Sequence, residues 1–143
     1  MTKADGGCGP DDQRRREEVI LTLLGSENDL DFQTLLSVFP HPRYELVGTH
    51  KVYDGVEQVK HHLKDRRRAF PDYRSDLIAY YHAPDAVIAE VWVHGTHLGQ
   101  IEQIEPTGKA FRCRMAVFFM FDRDQLTCER VYFDQATIAR QLA

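Results

Sequence analysis

Residues 87–98 read VIAEVWVHGTHL, and this stretch decides the fold. It is too short to span a bilayer and too rich in β-branched and aromatic residues for an ordinary surface helix. Taken with period two, Val87, Ala89, Val91, Val93 and His97 fall on one face and Glu90, Trp92, His94 and Thr96 on the other. That is a long strand with one apolar face.

Working outward, Ala83-Pro84-Asp85 marks a turn before it, and Asp72–His82 reads as the strand on the other side of that turn. Downstream, Pro106-Thr107-Gly108-Lys109 is a turn signal joining a further run, Ala110–Phe121. There Arg112 and Arg114 share a face with Ala116, Phe118 and Met120. Asp122–Gln125 predicts a hairpin turn and Leu126–Phe133 the last strand. In it Cys128, Arg130, Tyr132 and Asp134 alternate with Glu129, Val131 and Phe133. Bulges in a curved sheet can exchange such faces partway along a strand.

The first half has helical spacing. Residues 1–12 are rich in Gly and Asp and predict a disordered tail. Asp11 or Asp12 can cap a first helix whose stripe is Val19, Ile20, Leu23 and Leu24, with Gly25 as its expected stop. A short second helix carries Phe32, Leu35, Leu36 and Phe39 and ends at Pro40 and Pro42. Tyr44–Val47 and Lys51–Tyr53 are short extended pieces. Asp54-Gly55 opens a third helix with a basic face of Lys60, Lys64, Arg66, Arg67 and Arg68, which reads as a solvated face near a helix C-terminus. Helices segregated before an antiparallel sheet define an α+β domain over residues 13–143. A curved sheet with helices across its open side makes a cone enclosing a pocket.

Composition limits the function. With 43% hydrophobic and 28% charged residues the 143-residue chain is ordinary globular material. A net charge of −4 disfavours a nucleic-acid partner. No apolar run suggests a membrane span, and no apolar leader suggests export, so a cytoplasmic location is expected. Cys8, Cys113 and Cys128 match no zinc pattern, and the histidines have no zinc spacing. No nucleophile elbow, phosphate loop or dinucleotide fingerprint occurs. Neither a metal nor a cofactor is expected.

The chemistry then falls to few residues. Asp134 stands at the boundary between an apolar strand and a polar exit, where a carboxyl can acquire a raised pKa suited to acid–base work. It can equally cap the tail helix Gln135–Leu142. His97, between Gly95 and Gly99, can relay a proton or bond a neighbouring backbone group. Arg112 and Arg114 need partners or an anion if buried. Trp92, Phe118 and Tyr132 are core residues or pocket walls.

Phe70-Pro71-Asp72, Gly95-Thr96-His97-Leu98-Gly99, Pro106-Thr107-Gly108-Lys109 and Glu129-Arg130-Val131-Tyr132-Phe133-Asp134, with Gln141-Leu142, together resemble the SnoaL-like polyketide cyclases of the nuclear transport factor 2-like superfamily. The resemblance covers about residues 13–143. It implies an α+β cone, a homodimer formed through the sheet, and a cofactor-free intramolecular aldol closure on a small apolar carbonyl or polyketide-like compound. It implies Asp134 as the acid/base group, with His97 in a supporting or pocket-lining role; Trp92, Arg112, Arg114, Phe118 and Tyr132, read from the strands, are the candidate substrate-binding residues. Two other functions compete. One is a limonene-type epoxide hydrolase, using Asp134 with Arg112 or Arg114. The other is a non-catalytic module that binds a small molecule.

Overall fold

A computed structural model describes residues 8–143; most of the tail 1–12 lies outside the described residues. Four helices pack on one face of a single six-stranded sheet. Helix α1 spans Pro10–Asp29, α2 Phe32–Val38, α3 Val56–Ala69 and α4 Gln135–Leu142. The strands are β1 Arg43–Leu46, β2 Lys51–Asp54, β3 Arg74–Ala83, β4 Ala86–Thr96, β5 Ala110–Asp122 and β6 Gln125–Tyr132. Their order across the sheet is β2-β1-β6-β5-β4-β3. The expected antiparallel meander β3 to β6 is present. The two short N-terminal pieces extend it beyond β6, where β1 runs parallel to β6.

Alternation explains most of the packing. In β4, Val87, Ala89, Val91 and Val93 are buried, and in β5 so are Phe111, Cys113, Met115, Val117, Phe119 and Phe121. They meet Ile20, Leu23 and Leu24 of α1, Leu35 of α2, and Val59 and Leu63 of α3 in one core. Register shifts at Leu77/Ala79 and at Met120/Phe121 bend the sheet. The second shift matters most for function. It lets Leu126 face the core and then sends Glu129, Val131 and Phe133 inward, while Arg130 and Tyr132 alternate to the other face and Asp134 leads into α4.

Helix α1 differs from expectation at both ends. It begins at Pro10, and it passes Gly25 to end at Asp29, with Leu30 in the left-handed conformation at φ 53°. Tertiary contacts override the glycine. Ser26 and Glu27 are buried, and Arg67 of α3 donates to the carbonyls of Glu27 (3.1 Å) and Asn28 (2.5 Å), capping the last turn. Near the other end, Arg16 is buried. It donates to the carbonyls of Arg123 (3.0 Å) and Pro84 (3.0 Å) and lies over the Phe121 ring, joining α1 to two hairpin turns.

The Gly95–Gly99 segment has a packing role. The N–H groups of Leu98 and Gly99 donate to the Ala69 carbonyl at 3.0 and 3.1 Å, terminating α3. A Cβ on Gly99 would lie 2.1 Å from the Arg68 carbonyl oxygen, so only glycine permits this approach.

Candidate functional site

Asp134 is the first residue to place. Its side chain is exposed and caps α4, accepting from the Ala136 N–H at 3.0 Å and the Thr137 hydroxyl at 2.7 Å. The Thr137 hydrogen bond is the largest influence and holds its carboxyl below the usual carboxylate range. The raised pKa expected from the strand boundary is therefore corrected. A carboxylate with capping donors in contact with water prefers its charged form.

His97 is fully buried beneath Phe70, with ring centroids 5.6 Å apart. The Thr107 N–H donates to its Nδ1 at 3.2 Å, and the Thr107 hydroxyl lies at the same distance. Accepting that N–H puts the ring proton on Nε2, giving the neutral tautomer. Its backbone closes the β4–β5 connection through bonds with Gly108 and Lys109. The imidazole thus fastens the Pro106–Lys109 turn and does not approach Asp134's position on the outer face.

Trp92, Arg112, Arg114, Phe118 and Tyr132 all lie on the outer face of the sheet, away from the helices. Arg112 and Arg114 stack on Trp92 with guanidinium carbons 3.7 and 4.9 Å from the ring centroid. Phe118 packs on Tyr132 at 5.2 Å, and Tyr132 is 41% exposed. Neither arginine is buried, which removes the expectation that each needs a buried counter-ion; Arg114 reaches Glu90 only at 4.0 Å. The face carries two open hollows. One of about 750 Å³ is lined by Gly48, Glu90, Arg114, Tyr132 and Asp134, and one of about 580 Å³ by Asp76, Trp92, His94, Arg112 and Gln141. Neither is the enclosed apolar pocket that the cone implied. No arginine bonds to Asp134, so the hydrolase arrangement imagined there is not assembled.

The interior holds a different constellation. Tyr53, Tyr44, Glu129 and Phe119 form one row across β2, β1, β6 and β5, each paired with the next in register. Over this row lie Glu27 from the last turn of α1 and His62 and Arg66 from one face of α3. Glu27, Glu129 and Tyr44 are 5%, 4% and 1% exposed. Burial is the largest cause of a Glu27 pKa raised to about 7, with Arg66 pulling the other way. Burial also lifts Glu129 well above the carboxylate range, and the neighbouring Glu27 charge lifts it further. Their mutual contact lowers Glu27 and raises Glu129, as expected when Glu129 holds the proton and points it at Glu27. The contact is loose: Oε2 of each carboxyl and the Tyr44 hydroxyl lack a partner of full hydrogen-bond geometry.

The surrounding groups keep this cluster dry and cationic on one side. His62 stacks on Tyr53 at 4.1 Å and meets Tyr44 edge-on at 6.4 Å. Burial depresses its pKa to about 3, so it is neutral at physiological pH. The Arg66 guanidinium lies 3.8 Å over the Tyr73 ring. Two buried carboxyls that influence each other's charge resist ionising together, and such pairs suit acid–base chemistry. No group of three or more His, Cys, Asp or Glu among the described residues could hold a metal ion.

Sequence reasoning passed over these residues, although signals existed. Glu27 continues the Ile20, Leu23 stripe at helical spacing, and Glu129 alternates with Val131 and Phe133 on the apolar side of β6.

A family model for SnoaL-like polyketide cyclases matches residues 28–142. The chain belongs to this family. Solved structures agree in fold. A candidate SnoaL-like polyketide cyclase from Jannaschia sp. CCS1 superposes with a TM-score of 0.80 at 16% identity, covering 90% of this chain and 92% of that one. IdmH from Streptomyces antibioticus, a candidate polyketide cyclase, gives 0.75 at 21% identity over 89% and 97%. AclR from Streptomyces galilaeus, a candidate hydroxylase, gives 0.74 at 15% over 90% and 85%. At these identities the likeness is one of fold. No curated protein sequence matches this chain significantly. Glu27 lies one residue outside the matched stretch and Glu129 within it. No helix among the described residues of this SnoaL-like chain is long and apolar enough to cross a membrane.

Proposed function

We propose that this SnoaL-like chain is a cofactor-free acid–base enzyme that closes or isomerises a small carbonyl compound of polyketide type. In this reading the buried pair Glu27 and Glu129 handles the proton, and Asp134 holds α4. The observation that supports it is one pair of buried carboxyls whose proton affinities are both raised, one to about 7.

The roles follow from the order of the two affinities. Glu27, the weaker proton holder, takes the acidic C–H proton between two carbonyls. The C–H bond breaks and its electron pair enters the enolate. The enolate carbon then bonds to a second carbonyl carbon of the same substrate, and Glu129 gives its proton to the alkoxide oxygen that forms. The proton has moved from Glu129 to Glu27 by way of the substrate, and its return to Glu129, the stronger holder, restores the start. A general base with a pKa near the working pH removes protons most effectively. Access would come past α3, whose His62 and Arg66 are only half-buried.

Linear poly-β-ketone methyl esters incubated with the protein test this. Wild type should convert them to a ring isomer of unchanged mass, and E129Q should lower the rate by about 10²–10⁴-fold, while D134N retains it. An E129Q variant as fast as wild type would overturn the reading.

A further inference from the structure

The proposal concerns Arg66 and rests on the acid–base reading of the same site. The basic face of α3 is otherwise committed. Arg67 donates to the carbonyls of Glu27, Asn28 and Pro71, and Arg68 pairs with Asp65 at 3.0 Å. Lys60 and Lys64 sit over the Phe32 ring at 5.6 and 5.7 Å. Arg66 likewise has an aromatic ring, and among the described residues its guanidinium makes no hydrogen bond and no ion pair; it differs in being half-buried beside the Glu27 and Glu129 carboxyls.

It is nevertheless held in place. Its guanidinium carbon lies 3.8 Å from the Tyr73 ring centroid, a contact that restrains the group without using its N–H donors. It also stands close enough to Glu27, Glu129, Tyr44 and His62 to influence the charge state of each. A guanidinium edge that no protein acceptor occupies is a ready partner for a planar anion. Glu27 and Glu129 do not fill that role, since burial outweighs Arg66 in both.

We propose that Arg66 receives an anionic oxygen pair of the substrate, so that this enzyme prefers a β-keto carboxylate over the corresponding neutral ester. The carboxylate would pair side-on with the guanidinium. Its α-carbon would then lie toward Glu27, and the acidic group would be selected by charge before any proton moves.

Acetoacetate and methyl acetoacetate are matched probes, one charged and one neutral, whose binding is read by titration calorimetry. Wild type should bind acetoacetate about tenfold or more tightly than the ester. R66Q should erase that difference, R66K should retain part of it, and R68Q should leave it intact. Equal affinity for the two probes, binding of neither, or an undiminished preference in R66Q would overturn the proposal. If R66Q does not fold, R66K against R68Q decides. The failure of the acid–base reading is separate: it shows as undiminished turnover in E129Q whatever the charge preference.

Discussion

Gln141 grips the free edge of β5 at Arg112. Its Oε1 accepts from the Arg112 N–H at 2.7 Å and its Nε2 donates to the Arg112 carbonyl at 2.9 Å. Strand β6 pairs with β5 only from Ala116 onward, so residues near Arg112 offer unpaired ladder groups on that side. One amide side chain reproduces the missing strand contact. Replacing it, as in Q141A, should destabilise the fold by about 1–2 kcal/mol, two modest hydrogen bonds. A lower denaturant midpoint with an unchanged slope would confirm this, and no change in midpoint would refute it.

Asp134 begins the same helix. D134A removes the cap and should cost about 1 kcal/mol. D134N should cost less, because the amide oxygen still accepts from Ala136. The folded pKa is lowered, so the stabilisation is present above the ordinary carboxylate range and is lost as acid titrates the group. Acid unfolding followed by circular dichroism should therefore show a smaller loss of stability across that range in D134A than in wild type, and an equal loss would contradict the capping role.

The Glu27–Glu129 pair has the opposite sign. Both folded pKa values are raised, so their neutral forms fit the interior. Stability is greatest below about pH 4.5 on this account and declines as pH rises through about 7 for Glu27. The double variant E27Q/E129Q should flatten that decline in a series of urea titrations. An equally steep decline in the variant would show that other groups cause it.

His62 acts in the other direction. Its folded pKa is depressed from 6.5 to about 3, so its contribution is complete above 6.5 and fades as acidification approaches 3. H62L should be less sensitive than wild type to acid in that window, measured by the thermal midpoint. An unchanged acid sensitivity would count against the buried, stacked position beside Tyr53.

How far the sequence could be read depended on the range of the forces involved. Strands β3 to β6, their turns and the end of α3 at Phe70-Pro71 are set by alternation and turn chemistry, which act locally. The length of α1 was not legible, because Arg67 and Ser75, distant in the chain, hold its last turn through Asn28. The apolar face of β4 was legible, but that the opposite face lies open and holds no enclosed pocket was not. Trp92 looked like a pocket residue, but the valines alternating with it fill the core and leave it outside. The family motifs turned out to be partly architectural. His97 ties down Thr107, Gly99 permits the approach to Arg68, and Gln141 completes an edge. The carboxyl pair was the hardest to see, since Glu27 and Glu129 lie about a hundred residues apart in the chain and come near each other only in the folded core. Each was nonetheless a charged residue on an otherwise apolar stripe, and that pattern is a sequence signal.

The protonation of the pair itself is the most direct measurement. Carbon-13 NMR of protein labelled at the glutamate carboxyl, titrated through neutral pH, should show two carboxyls ionising far above the others, with an apparent value near 7 for one of them. E129Q should remove the higher of these signals and leave Glu27 raised, because burial is its largest cause and the Glu129 contact only lowers it. All glutamates titrating together near the ordinary range of about 4–5 would contradict the account.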